Sequence, residues 1–288
     1  MKEFLYFDKE KLSPEDFNRS LMFGEGAFET FRFKQKLPVF LDRHLQRLKS
    51  TCKYLDIKYP GDFYIETTVD KVVKNHKSEH FNNVIKDLVI KVALFSSGGP
   101  SYFDKSEKTT LCVSIKEEDS ATKETISLGL SKLKVSSNDI FNSHKTTNYL
   151  LNSIERRAAK LNDFDDSLLI NEKNIVVEST SGNFFWIKGT NVFTPSIETG
   201  ALNGITRSLV LEVCKNNKIR VIEDEFEPGS IIFPEAMFIT NAVRGIVEVS
   251  NLNNTTQSTR TQNLYPIIKR GLLAVSYTHL TLPTILLV

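Results

Sequence analysis

At 288 residues the chain exceeds one average domain, so two domains or one large one are expected. Hydrophobic residues make up 40% and charged residues 25%, and the net charge is +2. Those values suit a soluble globular protein and give no reason to expect nucleic acid or an anionic membrane.

The opening Met1-Lys-Glu-Phe-Leu-Tyr-Phe-Asp has acidic residues and no apolar core, so a secretory leader is not expected and a cytoplasmic location is. Gly26-Ala-Phe-Glu-Thr-Phe-Arg-Phe then reads as a strand, followed by a turn at Lys34–Lys36 and a second strand. Leu41, Leu45, Leu48, Cys52 and Leu55 recur at spacings of 4, 3, 4 and 3, an amphipathic helix. A second helix is expected over 64–86, carrying Ile65, Val69, Val72 and Val73. Leu88-Val-Ile-Lys-Val-Ala-Leu-Phe95 reads as a buried strand broken by Ser96-Ser-Gly-Gly-Pro100. A strand at Thr110–Ile115 leads to the charged run Lys116-Glu-Glu-Asp-Ser-Ala-Thr-Lys-Glu, the expected linker. The division is therefore 1–118, an N-terminal domain, and 119–275, a C-terminal one.

The second part begins with strand-like Ile126–Val135. His144-Lys-Thr-Thr-Asn148 follows, and Leu151, Ile154, Ala158 and Leu161 mark a helix behind Lys145, with Ser143 a plausible N-cap. Two hairpins are expected, Leu168–Ile170 with Ile175–Val177 and Phe184–Ile187 with Val192–Phe193. A helix over 206–216 and strands near Ile219–Ile222 and Met237–Thr240 complete the pattern. Residues 276–288 resemble a translated sequencing-adapter artefact and are read as a non-native tail. The run from Gly271 is interrupted by Pro283, His279 and hydroxyls, which argues against a membrane span. Cys52, Cys112 and Cys214 are scattered, with no Cys/His cluster, and read as small buried hydrophobes, so no metal is expected.

The chemistry concentrates in two segments. Lys145 ends an extended segment and opens the expected helix, and Glu178 of Glu178-Ser-Thr-Ser-Gly-Asn183 lies 33 residues on, after intervening strands. An amine with a carboxylate across a pocket is what pyridoxal phosphate chemistry needs: the amine forms a Schiff base and the carboxylate keeps the pyridine nitrogen protonated. Taken singly, Lys145 is as easily a solvated lysine and Glu178 a strand-end charge. Leu202-Asn-Gly-Ile-Thr-Arg207 puts a glycine before a helix, so the N–H groups of Ile205 and Thr206 could face an anion. Arg47 stands three residues after His44 at the edge of the apolar stripe, where it could grip a phosphate with two prongs or extend into solvent. Phe23-Gly-Glu-Gly-Ala-Phe-Glu lacks the third glycine of a dinucleotide loop, and no P-loop is present.

Five motifs in order carry a resemblance: Phe-Gly-Glu-Gly-Ala-Phe-Glu-Thr, Asp-Arg-His-Leu-Gln-Arg-Leu, Lys-Thr-Thr-Asn, Glu-Ser-Thr-Ser-Gly-Asn-Phe-Phe-Trp and Asn-Gly-Ile-Thr-Arg. From about Phe7 to Val249 the sequence resembles the class IV, fold-type IV pyridoxal phosphate enzymes, which include branched-chain and D-amino acid aminotransferases and 4-amino-4-deoxychorismate lyases. The resemblance implies an α+β fold with a small N-terminal α/β domain, a larger C-terminal pseudobarrel domain, the cofactor between them, and a homodimer. It implies that Lys145 is the Schiff-base lysine and Glu178 the partner of the pyridine nitrogen, and that Arg47, Ile205, Thr206 and Asn241 help hold the cofactor. Thr240-Asn-Ala-Val-Arg244-Gly resembles the lyases more than the branched-chain enzymes and makes Arg244 a candidate for a substrate carboxylate. Many lyases carry an arginine after the strand ending here at Phe95, where this chain has Ser96 and Ser97. The favoured activity is removal of pyruvate from 4-amino-4-deoxychorismate to give 4-aminobenzoate for folate. The alternatives are transamination of a branched-chain or D-amino acid, or a family member that binds the cofactor without catalysis.

Overall fold

Backbone packing separates the chain into two units, one formed by Met1–Ser120 with His144–Tyr149 and the other by Ala121–Ser143 with Leu150–Val288. The computed structural model describes residues 6–7, 10–11, 18–34, 37–38, 40–79, 87–99, 101–117, 123–253, 255–256 and 264–278. The Lys145 segment, which the sequence reading gives to the C-terminal part, thus packs with the first unit.

In that unit β1 (Tyr6–Phe7) and β2 (Glu10–Lys11) form an antiparallel pair. Helix α1 (Arg19–Phe23) is capped by the Asn18 side chain and ends at Gly24, whose φ of 74° suits glycine. A Cβ at Gly24 would lie 1.9 Å from Asn148 Oδ1, so the Lys145 segment approaches there as only glycine allows. Strand β3 (Gly26–Phe33) pairs antiparallel with β4 (Leu88–Gly98), which pairs with β5 (Ser106–Glu117). The two-residue period of these strands sends Ala27, Phe31, Phe33, Ile90, Val92 and Leu94 to one face. There α2 (Leu41–Tyr54) and α3 (Asp62–Glu79) cover them with Leu45, Leu48, Cys52, Ile65 and Val69. Each fully buried aliphatic or Phe side chain contributes about 1.5–3 kcal/mol to that packing. Ser96 and Ser97 do not break β4, which runs on to Gly98; Ser96 N–H donates to Ser20 Oγ at 2.7 Å. No strand follows the turn expected at Lys34–Lys36 among the described residues, and residues 35 and 36 themselves lie outside them.

The second unit is built on β6 (Thr125–Val135), β7 (Asp166–Asn171), β8 (Val176–Ser179), β9 (Asn183–Lys188), β10 (Asn191–Pro195), β11 (Arg220–Asp224), β12 (Ala236–Asn241), β13 (Gly245–Leu252) and β14 (Thr255–Thr256). They form one mixed sheet in the order β11-β10-β9-β12-β13-β6-β7-β8, with β14 on β13. Strand β9 is buried on both faces, which is why Phe184-Phe-Trp-Ile187 reads as an unbroken apolar run. Phe184 and Trp186 enter one core with Met237 and Ile239, while Phe185 and Ile187 enter another with Ala236 and Phe238. Helix α5 (Ile205–Asn216) joins the parallel strands β10 and β11 and covers that second core with α6 (Leu264–Thr278). Helix α6 crosses the position where the sequence reading starts a tail, and residues 279–288 lie outside the described ones.

Two expectations need correction. Helix α4 (Leu150–Leu161) starts five residues after Lys145, and Ser143 Oγ donates to the Ile140 carbonyl instead of capping it. Its expected stripe is only partly buried, Leu151 packing on a core and Leu161 86% exposed, while Glu155 is buried and accepts from the N–H groups of Lys132 and Leu133. Cys112 is exposed, unlike Cys52 and Cys214, because it faces away from the helices on β5. Among the described residues no helix is long and apolar enough to cross a membrane. No group of three or more His, Cys, Asp or Glu among them could hold a metal ion.

Candidate active site

Lys145 is held by strand pairing. Its carbonyl accepts from Phe28 N–H at 3.0 Å, Thr147 N–H donates to the Gly26 carbonyl at 2.8 Å, and Thr146 bridges Ala27 antiparallel. The segment therefore lies along the free edge of β3, and an extended backbone directs the Lys145 side chain across the sheet face. The neighbouring His144 stacks on Tyr54 at 4.2 Å and 13°. The Lys145 ammonium donates to Tyr149 Oη at 3.0 Å and sits 4.4 Å from the centroid of the Phe28 ring. An aromatic face and a phenol thus hold the amine in place.

A second cation shares that ring. Lys91 Nζ lies 4.1 Å from the Phe28 centroid, and burial together with the charge of Lys145 pushes the Lys91 pKa down. The sequence reading missed Lys91 because it sits within an apolar strand. Its signal is the alternation itself: Lys91 and Ala93 lie opposite Thr30 and Phe28, on the face of β4 turned away from the helices.

On the helix face of β3, Glu29 is fully buried and receives three charge-assisted bonds. Arg47 donates from Nε to Oε1 at 2.6 Å and from Nη2 to Oε2 at 2.8 Å, and His44 Nδ1 lies 2.7 Å from Oε2. Burial opposes ionisation of Glu29, but the bonds from Arg47 and His44 outweigh it and hold its pKa below the usual value. The two-pronged contact that the sequence reading reserves for a phosphate is thus made to Glu29. Five guanidinium N–H groups allow further bonds beside it.

The second unit holds the remaining candidates. Glu178 lies near the end of β8, and its Oε2 accepts from Asn183 Nδ2 at 2.9 Å. Asn183 Nδ2 also donates to the Leu202 carbonyl at 2.7 Å. Helix α5 begins at Ile205 after Gly204, whose backbone is extended (ψ 138°) and whose place at the cap supplies no side-chain acceptor. The first-turn N–H groups, Ile205 and Thr206 included, therefore have no capping side chain. Asn241 accepts the N–H groups of Val243 and Arg244 at 3.1 and 2.8 Å, so its oxygen shapes the β12–β13 turn. Arg244 Nη2 donates to the Lys123 carbonyl, which anchors its guanidinium on the unit's own backbone.

The fit of these residues to pyridoxal phosphate can be judged on three features. The hydroxyl of Thr240 is buried with no hydrogen-bond partner. Ala236 and Phe238 pack with Val210 and Cys214 of α5, so the strand period puts Thr240 on that same face of β12. An uncapped helix start and an orphaned hydroxyl on the strand face beneath that helix suit a phosphate, which accepts from several donors at once. Taken separately, the amine of Lys145 in the first unit is of the kind an aldehyde takes, and the carboxylate of Glu178 in the second is of the kind a protonated ring nitrogen takes.

Comparison with known proteins agrees with this chemistry. The family described as amino-transferase class IV matches residues 26–252. The aminodeoxychorismate lyase of Bacillus subtilis (strain 168) is 30% identical over 266 residues, covering 86% of this chain and 84% of its own length. A protein of Methanocaldococcus jannaschii named as a branched-chain-amino-acid aminotransferase is 26% identical over 257 residues, with 86% of this chain and 85% of that one covered. Among solved structures, one from Legionella pneumophila named as a 4-amino-4-deoxychorismate lyase superposes with a TM-score of 0.78 at 26% identity, covering 93% of this chain and 96% of that one. The branched-chain amino acid aminotransferase of Escherichia coli gives 0.75 at 18% identity, covering 95% and 94%, and shares the fold.

Proposed function

The chain belongs to the class IV amino-transferase family, pyridoxal phosphate-dependent enzymes of fold type IV, and within it we propose a 4-amino-4-deoxychorismate lyase releasing pyruvate and 4-aminobenzoate. The observation that carries this choice is Lys91. A simple amino acid brings one carboxylate, whereas aminodeoxychorismate brings two, and a site for it needs more than one cation. Lys91 stands beside Lys145 on the Phe28 ring, and a bound carboxylate would offset the repulsion between the two cations. Arg244 is the candidate for the other carboxylate. The 30% identity to the Bacillus subtilis lyase supports the same reading.

In this reading pyridoxal phosphate, when bound, supplies the electron sink. Lys145 would hold the group through its amine and would take the proton from the substrate carbon that bears the amino group. Tyr149 and Phe28 keep the Lys145 side chain at its post. Glu178 holds a proton at the ring nitrogen, and Asn183 orients that carboxylate. The N–H groups of Ile205 and Thr206, with Arg47 and the Asn241 turn, retain the phosphate end. Loss of pyruvate leaves an aromatic ring, so no keto acid is consumed. The family resemblance further implies a homodimer, and the product a place in cytoplasmic folate synthesis.

Transamination is the second reading, favoured by Ser96 and Ser97 where many lyases carry an arginine. The test is incubation of purified protein with aminodeoxychorismate alone, in parallel with leucine or D-alanine plus 2-oxoglutarate. Pyruvate and 4-aminobenzoate in equal amounts from aminodeoxychorismate alone support the lyase; glutamate formation in the parallel incubations, with no 4-aminobenzoate from aminodeoxychorismate, rejects it.

A further inference from the structure

The Asn183 side chain touches both a candidate ring-nitrogen partner and the loop leading into the candidate phosphate end. It is 4% exposed, at the first position of β9. Its Nδ2 donates to Glu178 Oε2 at 2.9 Å and to the Leu202 carbonyl at 2.7 Å. Two acceptors on one nitrogen fix which way the amide points, since a flip would face oxygen against oxygen. Its Oδ1 lies 2.0 Å from where a Cβ on Gly204 would stand, so only glycine fits there, immediately before α5. Asn183 therefore sets the distance between the Glu178 carboxylate and the start of α5 from within a buried, hydrogen-bonded position.

We propose that Asn183 is a positioning residue that couples the two ends of the cofactor site: its amide orients the Glu178 carboxylate and, through Leu202 and Gly204, the N–H groups opening α5. This rests on the reading of Glu178 and α5 given above. A residue that only supports the fold would change stability; a coupler changes two separable properties of a folded protein. Glu178 acts on the ring, so its misalignment lowers kcat and leaves the substrate KM in place. The start of α5 acts on the phosphate, so its misalignment lowers the preference for pyridoxal phosphate over pyridoxal.

The test uses Asn183→Ala, Glu178→Gln and the double variant, with circular dichroism and thermal melts to verify folding. In the folded Asn183→Ala protein we expect kcat to fall about tenfold or more at saturating cofactor, and the preference for pyridoxal phosphate over pyridoxal to fall about tenfold, as a lost charge-assisted bond implies. Added to Glu178→Gln, Asn183→Ala should lower kcat little further yet still reduce that preference. Should Asn183→Ala not fold, Gly204→Ala, which presses on Asn183 Oδ1, should produce the same two losses. Wild-type kcat and preference in the folded variant, or a kcat loss that adds fully to that of Glu178→Gln, would overturn the coupling. Borohydride reduction of wild type separates the two levels: no label on Lys145 rejects the cofactor reading itself, whereas a normal label with an unaffected Asn183→Ala rejects only the role of Asn183.

Discussion

The two units present their candidate groups by different physics. In the first, charge is placed by side chains on a three-stranded sheet: Lys145 and Lys91 share the Phe28 ring, and Arg47 and His44 clasp Glu29 through the opposite face. In the second, neutral amides set the groups: an uncapped helix start after the extended Gly204, and Glu178 held by the Asn183 amide that also binds a carbonyl. Side-chain charges can be tuned, screened and titrated. Backbone donors keep their strength at every pH and yield only to changes of shape. The first unit should therefore answer to charge substitutions and pH, and the second to substitutions of size.

The largest expected effect lies in the first unit. Lys145→Ala should lower turnover by about a thousandfold or more, because it removes both the covalent anchor and the proton carrier; stopped-flow assay of pyruvate release measures it. Glu29→Gln should come next. It leaves the partly buried Arg47 and the buried His44 without their partner charge, a loss of about 3 kcal/mol in urea unfolding at pH 7. The sign with pH follows from the direction of the Glu29 shift. A pKa below the unfolded value near 4.3 means the stabilisation is present above that pH and is lost as pH falls through the folded value. The gap between wild type and Glu29→Gln should accordingly narrow in acid.

Much of this contrast is legible in the sequence. The 3-4 stripe of α2 and the hairpins around β7–β10 follow from spacing and turn chemistry. What stays hidden depends on pairings distant in the chain. Glu29 lies in an apolar strand, and only α2, 15 to 18 residues later, makes its burial tolerable. The expected helix at Lys145 loses to the edge of β3, more than a hundred residues upstream, which offers Gly26 and Phe28 as partners. In α4 the buried face is shared by Leu151, Ala159 and Glu155, whose carboxylate satisfies two backbone N–H groups of β6, a pairing no local pattern announces. Strand β13 escapes the sequence reading, since Gly245-Ile-Val-Glu-Val-Ser carries only weak alternation.

Smaller effects are expected from single charged side chains in either unit. Glu178→Gln keeps the size and the bond to Asn183, so cofactor should stay bound while turnover falls about a hundredfold; equilibrium dialysis with an activity assay separates the two. Arg47→Ala tests whether its guanidinium serves the phosphate as well as Glu29. Cofactor retention should drop by about ten- to a hundredfold, the range of a charge-assisted bond of 1.5–3 kcal/mol, and unchanged retention in a folded variant would confine Arg47 to Glu29. Lys91→Met should give the smallest change, a severalfold rise in KM for aminodeoxychorismate with kcat preserved. An unchanged KM would remove Lys91 from carboxylate binding and with it the main argument for the lyase.

The most direct test combines attachment and reaction. The purified protein is supplied with aminodeoxychorismate and no keto acid, reduced with borohydride while pyruvate accumulates, and mapped by peptide mass. The account predicts sustained pyruvate release with cofactor recovered on Lys145. Label on another lysine, or cofactor recovered as its amine with no pyruvate formed, would contradict it.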